Sequence, residues 1–329
     1  MLQYPETRRV DQVDDYHGVK VADPYRWLEA DVRESPEVAA WVEKQNDVAR
    51  AYLDAIPQRP QIARRLTEIW NYERYSAPRQ RGGRYFFLKN DGLQNQAVLY
   101  VADKFDADGR VLIDPNTWSK DGTIALAHFE PSKDGKLLAY ARAEAGSDWQ
   151  TIYLLDVDTG KLRPDALKWA RFGDLDWKLD GSGFYYSRYP EPDAGAQFQA
   201  AAKNQMVCFH RLGDDQSKDT LIYARPDEPD RTFDVAPTDD GQFLVLTIFR
   251  GTDPQNEVSV RRADEPPAAD VTQGWTELLG DFKNQFESVG NVGTKFYFLT
   301  DLDAPTKRIV SMDMRKPGRE SVSEVVPAN

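Results

Sequence analysis

Polar turns alternate with apolar strands along most of this chain. A turn that contains glycine precedes a run of aliphatic and aromatic residues in RGGRYFFL (81–88), PSKDGKLLAY (131–140), WKLDGSGFYY (177–186), PTDDGQFLVL (237–246) and, more loosely, VGTKFYFL (292–299). The copies recur about every 45–60 residues, a period typical of repeat architectures. Because glycine readily adopts the positive φ of a tight hairpin, we interpret the Asp-Gly pairs as turn residues rather than ligand-binding loops.

Each hairpin leads into a further short apolar strand, which we predict to be an outer strand of its repeat. These strands are TIYLLD (151–156), MVCFH (206–210), EVSV (257–260) and RIVSM (308–312). Turn residues such as DTG (158–160) follow them, which gives the rhythm of four-stranded antiparallel blades. About five blade starts are present, so the sequence predicts a mainly β fold, with part of a β-propeller over residues 73–329.

Residues 1–72 have a different pattern. Glycine and proline punctuate residues 16–29, which predicts extended chain. Ser35 and Pro36 fit an N-cap and a first helical position, and apolar residues then follow at three- and four-residue spacing. A second helix is predicted with Pro60 in its first turn and with one apolar face formed by Ile62, Leu66, Ile69 and Trp70. This extended and helical segment must bury its apolar faces against the propeller or against another domain.

The composition of the chain disfavours several classes of protein. The 329 residues are 40% hydrophobic, which is ample material for a packed core, and the net charge of −12 disfavours nucleic acid or an anionic membrane as a partner. The single cysteine, Cys208, excludes an internal disulfide and fits a small buried hydrophobe. The first residues lack the apolar core of a signal peptide, so we expect a cytoplasmic protein, with a periplasmic location still open.

The residues themselves indicate no catalytic or metal centre. A nucleophile elbow of the form Gly-x-Ser-x-Gly does not occur in the sequence. The three histidines, His17, His128 and His210, have no serine or aspartate partner recognisable from a motif. They also lack the spaced cysteine or carboxylate partners of a metal site, so we predict neither a catalytic residue nor a metal nor a cofactor.

Several short stretches resemble one family. DYHGVKVADPYRWLE (15–29) is similar to the N-terminal signature of prolyl oligopeptidases, and further similarities are GLQNQ (92–96), LYV (99–101), LIDPN (112–116), SKDGT (119–123) and GSDW (146–149). The resemblance runs from about Tyr4 to the end of the sequence. It implies serine peptidases that cut after proline in short peptides, with a seven-bladed propeller covering an α/β-hydrolase domain.

The resemblance also implies site residues. Phe172 matches the position where the family's propeller offers an aromatic side chain to the bound peptide, and Thr232 and Thr252 occupy substrate-proximal positions where some members carry sulfur. Asp148 matches an acid that faces the hydrolase domain and can pair with an arginine of the active-site region. From the residues alone, Phe172 also fits a core aromatic, Asp148 fits a turn cap, and Trp149 fits packing.

In this family the hydrolase domain combines the N-terminal segment with a long C-terminal half that carries the nucleophile. We therefore expect this chain to cover roughly the first half of a member, to gate substrate access, and to lack peptidase activity alone. The expected partners are proline-containing oligopeptides and the C-terminal α/β-hydrolase domain of the same protein. The alternative is a stand-alone, non-catalytic propeller that binds a peptide or protein.

Overall fold

The computed structural model describes residues 2–144, 147–193 and 201–328. The chain forms two compact units, Met1–Tyr72 and Glu73–Asn329. Within the described residues, no helix combines the length and the apolar character needed to cross a membrane.

The first unit contains a β-hairpin and two helices. Strands β1 (Val13–Tyr16) and β2 (Val19–Ala22) pair antiparallel, and helices α1 (Pro36–Asp54) and α2 (Arg59–Trp70) follow. The predicted N-cap of α1 is confirmed, since the Ser35 hydroxyl accepts a hydrogen bond from the Val38 amide at 3.3 Å. None of the residues of α2 is buried, and its predicted apolar face is about half exposed at Ile62, Leu66, Ile69 and Trp70.

The second unit consists of antiparallel blades, as the sequence predicted. Blade one contains β3 (Arg74–Tyr75), β4 (Arg79–Arg81), β5 (Arg84–Asn90), β6 (Val98–Ala102) and β7 (Arg110–Ile113). Blade four contains β15 (Arg231–Pro237), β16 (Phe243–Arg250), β17 (Asn256–Arg262) and β18 (Thr276–Leu279). Blade five contains β19 (Phe286–Val292), β20 (Lys295–Thr300), β21 (Arg308–Asp313) and β22 (Ser323–Val326).

Blades two and three share one long strand. Blade two contains β8 (Ala125–Pro131), β9 (Leu137–Ala143), β10 (Gln150–Asp156) and the first part of β11 (Leu162–Trp177). The second part of β11 begins blade three, which continues with β12 (Gly183–Arg188), β13 (Met206–Arg211) and β14 (Thr220–Ala224). The 16-residue β11 pairs with β10 up to Ala170 and with β12 from Ala170 onward, with a register shift before Leu175. This continuity merges two blades into a seven-stranded sheet.

The predicted outer strands are the third strands of their blades. Strands β10, β13, β17 and β21 each pair with a fourth strand on their outer side. The fourth strand of blade five, β22, has the sequence SEVV, and that of blade three, β14, has the sequence TLIYA. The four-stranded blades themselves are confirmed.

Hydrophobic clusters fill the spaces between successive blades. Phe86 and Leu99 of blade one meet Leu138 and Tyr140 of blade two in one cluster. Equivalent clusters join blades two and three, three and four, and four and five. Each blade therefore buries one sheet face against the blade that follows it in sequence.

The glycine-containing turns lie in contact with one another. Gly135 has φ +68° and its amide donates to the Ser132 carbonyl at 2.8 Å, which confirms the turn interpretation. A Cβ on Gly82, in the β4–β5 turn, would lie 1.9 Å from the Asp134 carbonyl oxygen of the next blade. Glycine at position 82 is therefore required by the neighbouring blade as well as by its own φ of +54°.

We expect Gly82→Ala to lower the free energy of unfolding by about 3 kcal/mol, because a backbone carbonyl would have to move. Gly83→Ala is the matched control: its φ is +79° but nothing lies within 4 Å of the added methyl group, so about 1 kcal/mol is expected. Urea unfolding of the two variants measures the difference. Equal losses would contradict the close packing of these turns.

Candidate functional site

The four predicted site residues lie at the same end of the blades. Asp148 is in the β9–β10 connection and Thr252 in the β16–β17 connection, whereas the Asp-Gly turns join first strands to second strands. Successive strands are antiparallel, so these two kinds of connection lie at opposite ends of a blade. Thr232, at the start of β15, and Phe172, which precedes the blade-three part of β11, are at the same end as Asp148. We call this end the site face.

One arginine brings two of these residues together. The Arg171 guanidinium donates to Asp148 Oδ2 at 2.9 Å, and it stands 4.5 Å from the ring centroid of Phe172 and 5.1 Å from that of Trp149. The arginine side chain is 19% exposed and that of Asp148 is 58% exposed. Gly146, the first residue of the predicted GSDW motif, lies outside the described residues.

Hydrogen bonds and close packing fix the backbone at Phe172. Phe172 adopts φ +50°, and the buried Gln205 donates its amide to the Phe172 carbonyl at 2.9 Å and the Arg171 carbonyl at 3.2 Å. The same Gln205 accepts a hydrogen bond from the Phe233 amide of blade four at 2.5 Å. Gly173 follows, and a Cβ there would lie 2.3 Å from Ser187 Cβ. The Phe172 side chain is directed outward and is 54% exposed, so it is not a core aromatic.

An aromatic cluster lies beside Arg171. Trp149 makes edge contacts with Trp169 at 5.6 Å and with Tyr189 at 5.9 Å, and Tyr189 is 2% exposed. The Tyr189 hydroxyl and the Arg171 Nε are buried without a hydrogen-bond partner. Such buried donors usually carry a stability cost.

The two predicted threonines lie on blade four. Thr232 is partly buried opposite Phe249, and Thr252 is exposed in the turn after β16. The neighbouring Arg231 and Arg250 both stand over the ring of Phe282, at 4.9 and 5.1 Å. Gln205 links the strand of Thr232 to Phe172. Among the described residues, no hydrogen bond or ring contact joins Thr252 to the other three predicted residues.

Four carboxyl groups approach one another on the first strands of blades two, three and four. Asp234 Oδ1 accepts a hydrogen bond from the Asp174 amide at 3.0 Å, and burial, followed by the charge of Asp174, raises the pKa of Asp234 to about 6. Burial of Asp176 raises its pKa to about 7, and the negative charges of Glu130, Asp174 and Asp234 act in the same direction. Glu130 is paired with Arg79 and Arg81. Sequence reasoning missed this group, although DLD (174–176) places two of its acids on one strand face.

The stability of the second unit should therefore depend on pH through the carboxyl group of Asp176. A carboxyl whose pKa is raised by folding binds more protons when folded, so its contribution is favourable at low pH and is lost as the pH rises from about 4 through about 7. We expect Asp176→Asn to raise the free energy of unfolding by about 2 kcal/mol at pH 8. Little change is expected near pH 4, where both states are protonated.

Denaturant unfolding of wild type and variant at several pH values measures this effect. Asp106→Asn, which changes an exposed carboxylate in a loop of blade one, is the matched control and should follow the wild-type pH profile. A constant difference between Asp176→Asn and wild type across the pH range would contradict the shifted pKa.

Among the described residues of the second unit, His128 and His210 make no hydrogen bond to the four predicted site residues. His17 lies in the β1–β2 turn, and burial lowers the pKa of His128 on β8. His210 is fully buried, with Nδ1 2.7 Å from Asp219 and Nε2 3.2 Å from Asp165. Burial opposes its charged form, but the hydrogen bonds to Asp219 and Asp165 raise the pKa of His210 overall.

Sequence reasoning missed the partners of His210 because Asp165 is 45 residues away in the chain. Tyr186 extends the network by donating its hydroxyl to Asp219 at 2.6 Å. The network therefore joins the shared strand β11 to blade three. In the part of the chain that the structure describes, no group of three or more His, Cys, Asp or Glu residues is arranged to hold a metal ion.

The blades and their contacts define the second unit as a β-propeller structure. The chain belongs to a known family: the model of the prolyl oligopeptidase N-terminal β-propeller domain matches residues 5–329. A prolyl endopeptidase from Elizabethkingia meningoseptica is 38% identical over 328 residues, which are 99% of this chain and 45% of the relative. Prolyl oligopeptidase A from Galerina marginata (strain CBS 339.88) is 33% identical over 356 residues, covering 98% of this chain and 47% of the relative.

Solved structures agree with this assignment. Prolyl oligopeptidase B from Galerina marginata, in a mutant form bound to a 25mer macrocyclization substrate, matches with a TM-score of 0.83 at 29% identity. The match covers 100% of this chain and 48% of that one. The chain spans about half the length of the curated relatives it matches.

Proposed function

We propose that this chain supplies the N-terminal segment and propeller of a serine endopeptidase that cleaves short peptides on the C-terminal side of proline. The observation that carries the proposal is the family match over residues 5–329. The gathering of the predicted site residues on one face supports it. The names of the relatives, prolyl endopeptidase and prolyl oligopeptidase, supply the proposed substrate class.

The site face would act as one wall of the substrate pocket. The exposed ring of Phe172 offers a planar apolar surface of the kind that binds an apolar or proline side chain at low entropic cost. Thr232 and Thr252, at the same end of blade four, would add small side chains bearing hydroxyl groups. Together these three residues are the proposed substrate-binding set.

Asp148 would provide a contact to the hydrolase domain. Arg171 donates a hydrogen bond only to Oδ2 of Asp148, and the Asp148 side chain is more than half exposed. A cationic side chain from another domain could therefore still approach the other carboxylate oxygen. The worth of such an ion pair depends on how far it becomes buried.

The N-terminal unit would contribute a second contact. The apolar residues on one face of α2 are about half exposed, and a C-terminal α/β-hydrolase domain of the same protein is the proposed partner that covers them. In this proposal the nucleophile belongs to that domain, since the sequence contains no Gly-x-Ser-x-Gly. The 329-residue chain alone would then be inactive.

Cleavage of a fluorogenic proline-containing peptide tests the proposal. The chain is assayed alone and after mixing with a separately produced C-terminal half of the Elizabethkingia meningoseptica prolyl endopeptidase. We expect no cleavage by the chain alone and cleavage after mixing, because the nucleophile and the site face would then be brought together. The same peptide with alanine in place of proline should be cleaved far more slowly.

The C-terminal half alone is the control, and its competence is established by mixing it with its own N-terminal half. If this chain is folded and the partner half is competent, absence of cleavage after mixing would contradict the proposal. Retained peptide binding in that case would favour a non-catalytic binding propeller.

A further inference from the structure

Arg171 contacts two separate segments of the site face at once. Its guanidinium pairs with Asp148 in the β9–β10 connection, 23 residues away in the chain. The same group stands over the ring of Trp149 in that connection and over the ring of its own neighbour, Phe172. The Asp148 carboxylate and the Phe172 ring are therefore held relative to one another by one cation.

The Phe172 ring has little other support. Within the described residues, no aromatic contact to this ring is present, and 54% of the residue is exposed. Gln205 and Gly173 fix only the backbone beneath it. A cation over an aromatic face is attracted by the ring quadrupole, so Arg171 supplies the contact that selects one ring orientation.

The geometry points to positioning rather than to stabilisation. Exposed ion pairs contribute little to folding, and Asp148 is more than half exposed. The Arg171 guanidinium reaches both the Asp148 carboxylate and the Phe172 ring, so it fixes these two side chains relative to each other.

We propose that Arg171 is a positioning residue of the site face, which presents the Phe172 ring to a bound peptide by anchoring it to Asp148. This inference rests on the proposed function. The ordered ring reduces the side-chain entropy that peptide binding would otherwise have to overcome. Arg171 therefore sets affinity for the peptide without touching the reacting bond.

The first test is kinetic and uses the chain mixed with the competent C-terminal half. Arg171→Gln should raise KM for a proline-containing peptide by about ten-fold, the scale of one lost ion pair and one lost cation–π contact. The kcat should change by less than about two-fold, because the interaction lost is equal in the ground and transition states. Arg171→Lys keeps the charge and should restore part of the affinity.

Arg262→Gln is the matched control. Arg262 forms a two-bonded pair with Asp264 and stands 6.0 Å from the ring centroid of Phe243, but it lies at the end of β17 away from the site face. Its replacement should leave KM unchanged. A KM for Arg171→Gln within two-fold of wild type, or a loss confined to kcat, would overturn the proposal.

The second test needs no substrate. NMR relaxation of the chain with isotope-labelled phenylalanine rings should detect increased motion of Phe172 in Arg171→Gln and in Asp148→Asn. The effect of the double variant should be smaller than the sum of the two single effects, because both break the same link. Arg262→Gln should leave the Phe172 signal unmoved.

The two tests separate two kinds of failure. If wild type neither binds nor cleaves peptide but the Phe172 ring is released in Arg171→Gln, the proposed function fails and the positioning role stands as a property of the fold. If the ring is unaffected in both variants, the positioning role fails whatever the activity.

Discussion

Successive blades of this protein bury apolar faces against one another, and this packing removes them from water. The clusters around Phe86 and Leu138, or around Phe243 and Phe296, are formed by side chains from two successive sheets. Burial of this kind is the dominant favourable term in folding. It fixes the angle and spacing of the blades, and through them the position of every connection at the blade ends.

The candidate site lies where the shared strand β11 passes from one blade to the next. Because one strand serves as the last of blade two and the first of blade three, it must shift register near Ala170 to change partners. Arg171 and Phe172 lie at that shift, outside the regular pairing, and the Phe172 ring is exposed. Gln205 then ties the irregular backbone to Phe233 of the next blade. A local departure from ideal β structure thereby becomes a rigid support for an exposed ring.

Charge is used differently in the two regions of the propeller. At the site face, the mostly buried Arg171 pairs with the exposed Asp148, and their pairing orients side chains. On the first strands, burial raises the pKa values of the Asp176 and Asp234 carboxyl groups, and the charge of Asp174 raises both further. Repulsion of this kind opposes the same packing that the apolar clusters favour. The fold therefore accommodates an unfavourable cluster of acidic side chains because the apolar clusters between the blades stabilise it.

The sequence by itself determined the elements that depend on short-range chemistry. Asp-Gly turns, alternating apolar strands and the Ser35–Pro36 helix start are recognisable because turn geometry, strand alternation and capping involve residues close together in the chain. The resemblance to the family predicted Asp148, Phe172, Thr232 and Thr252 as site residues, and their role stays a prediction. The tertiary structure alone decided that Arg171 joins Asp148 to Phe172, that β11 serves two blades, and that His210 lies between Asp165 and Asp219. These arrangements depend on which strands become neighbours, and that is settled by the burial of apolar faces across the whole array rather than by any local pattern.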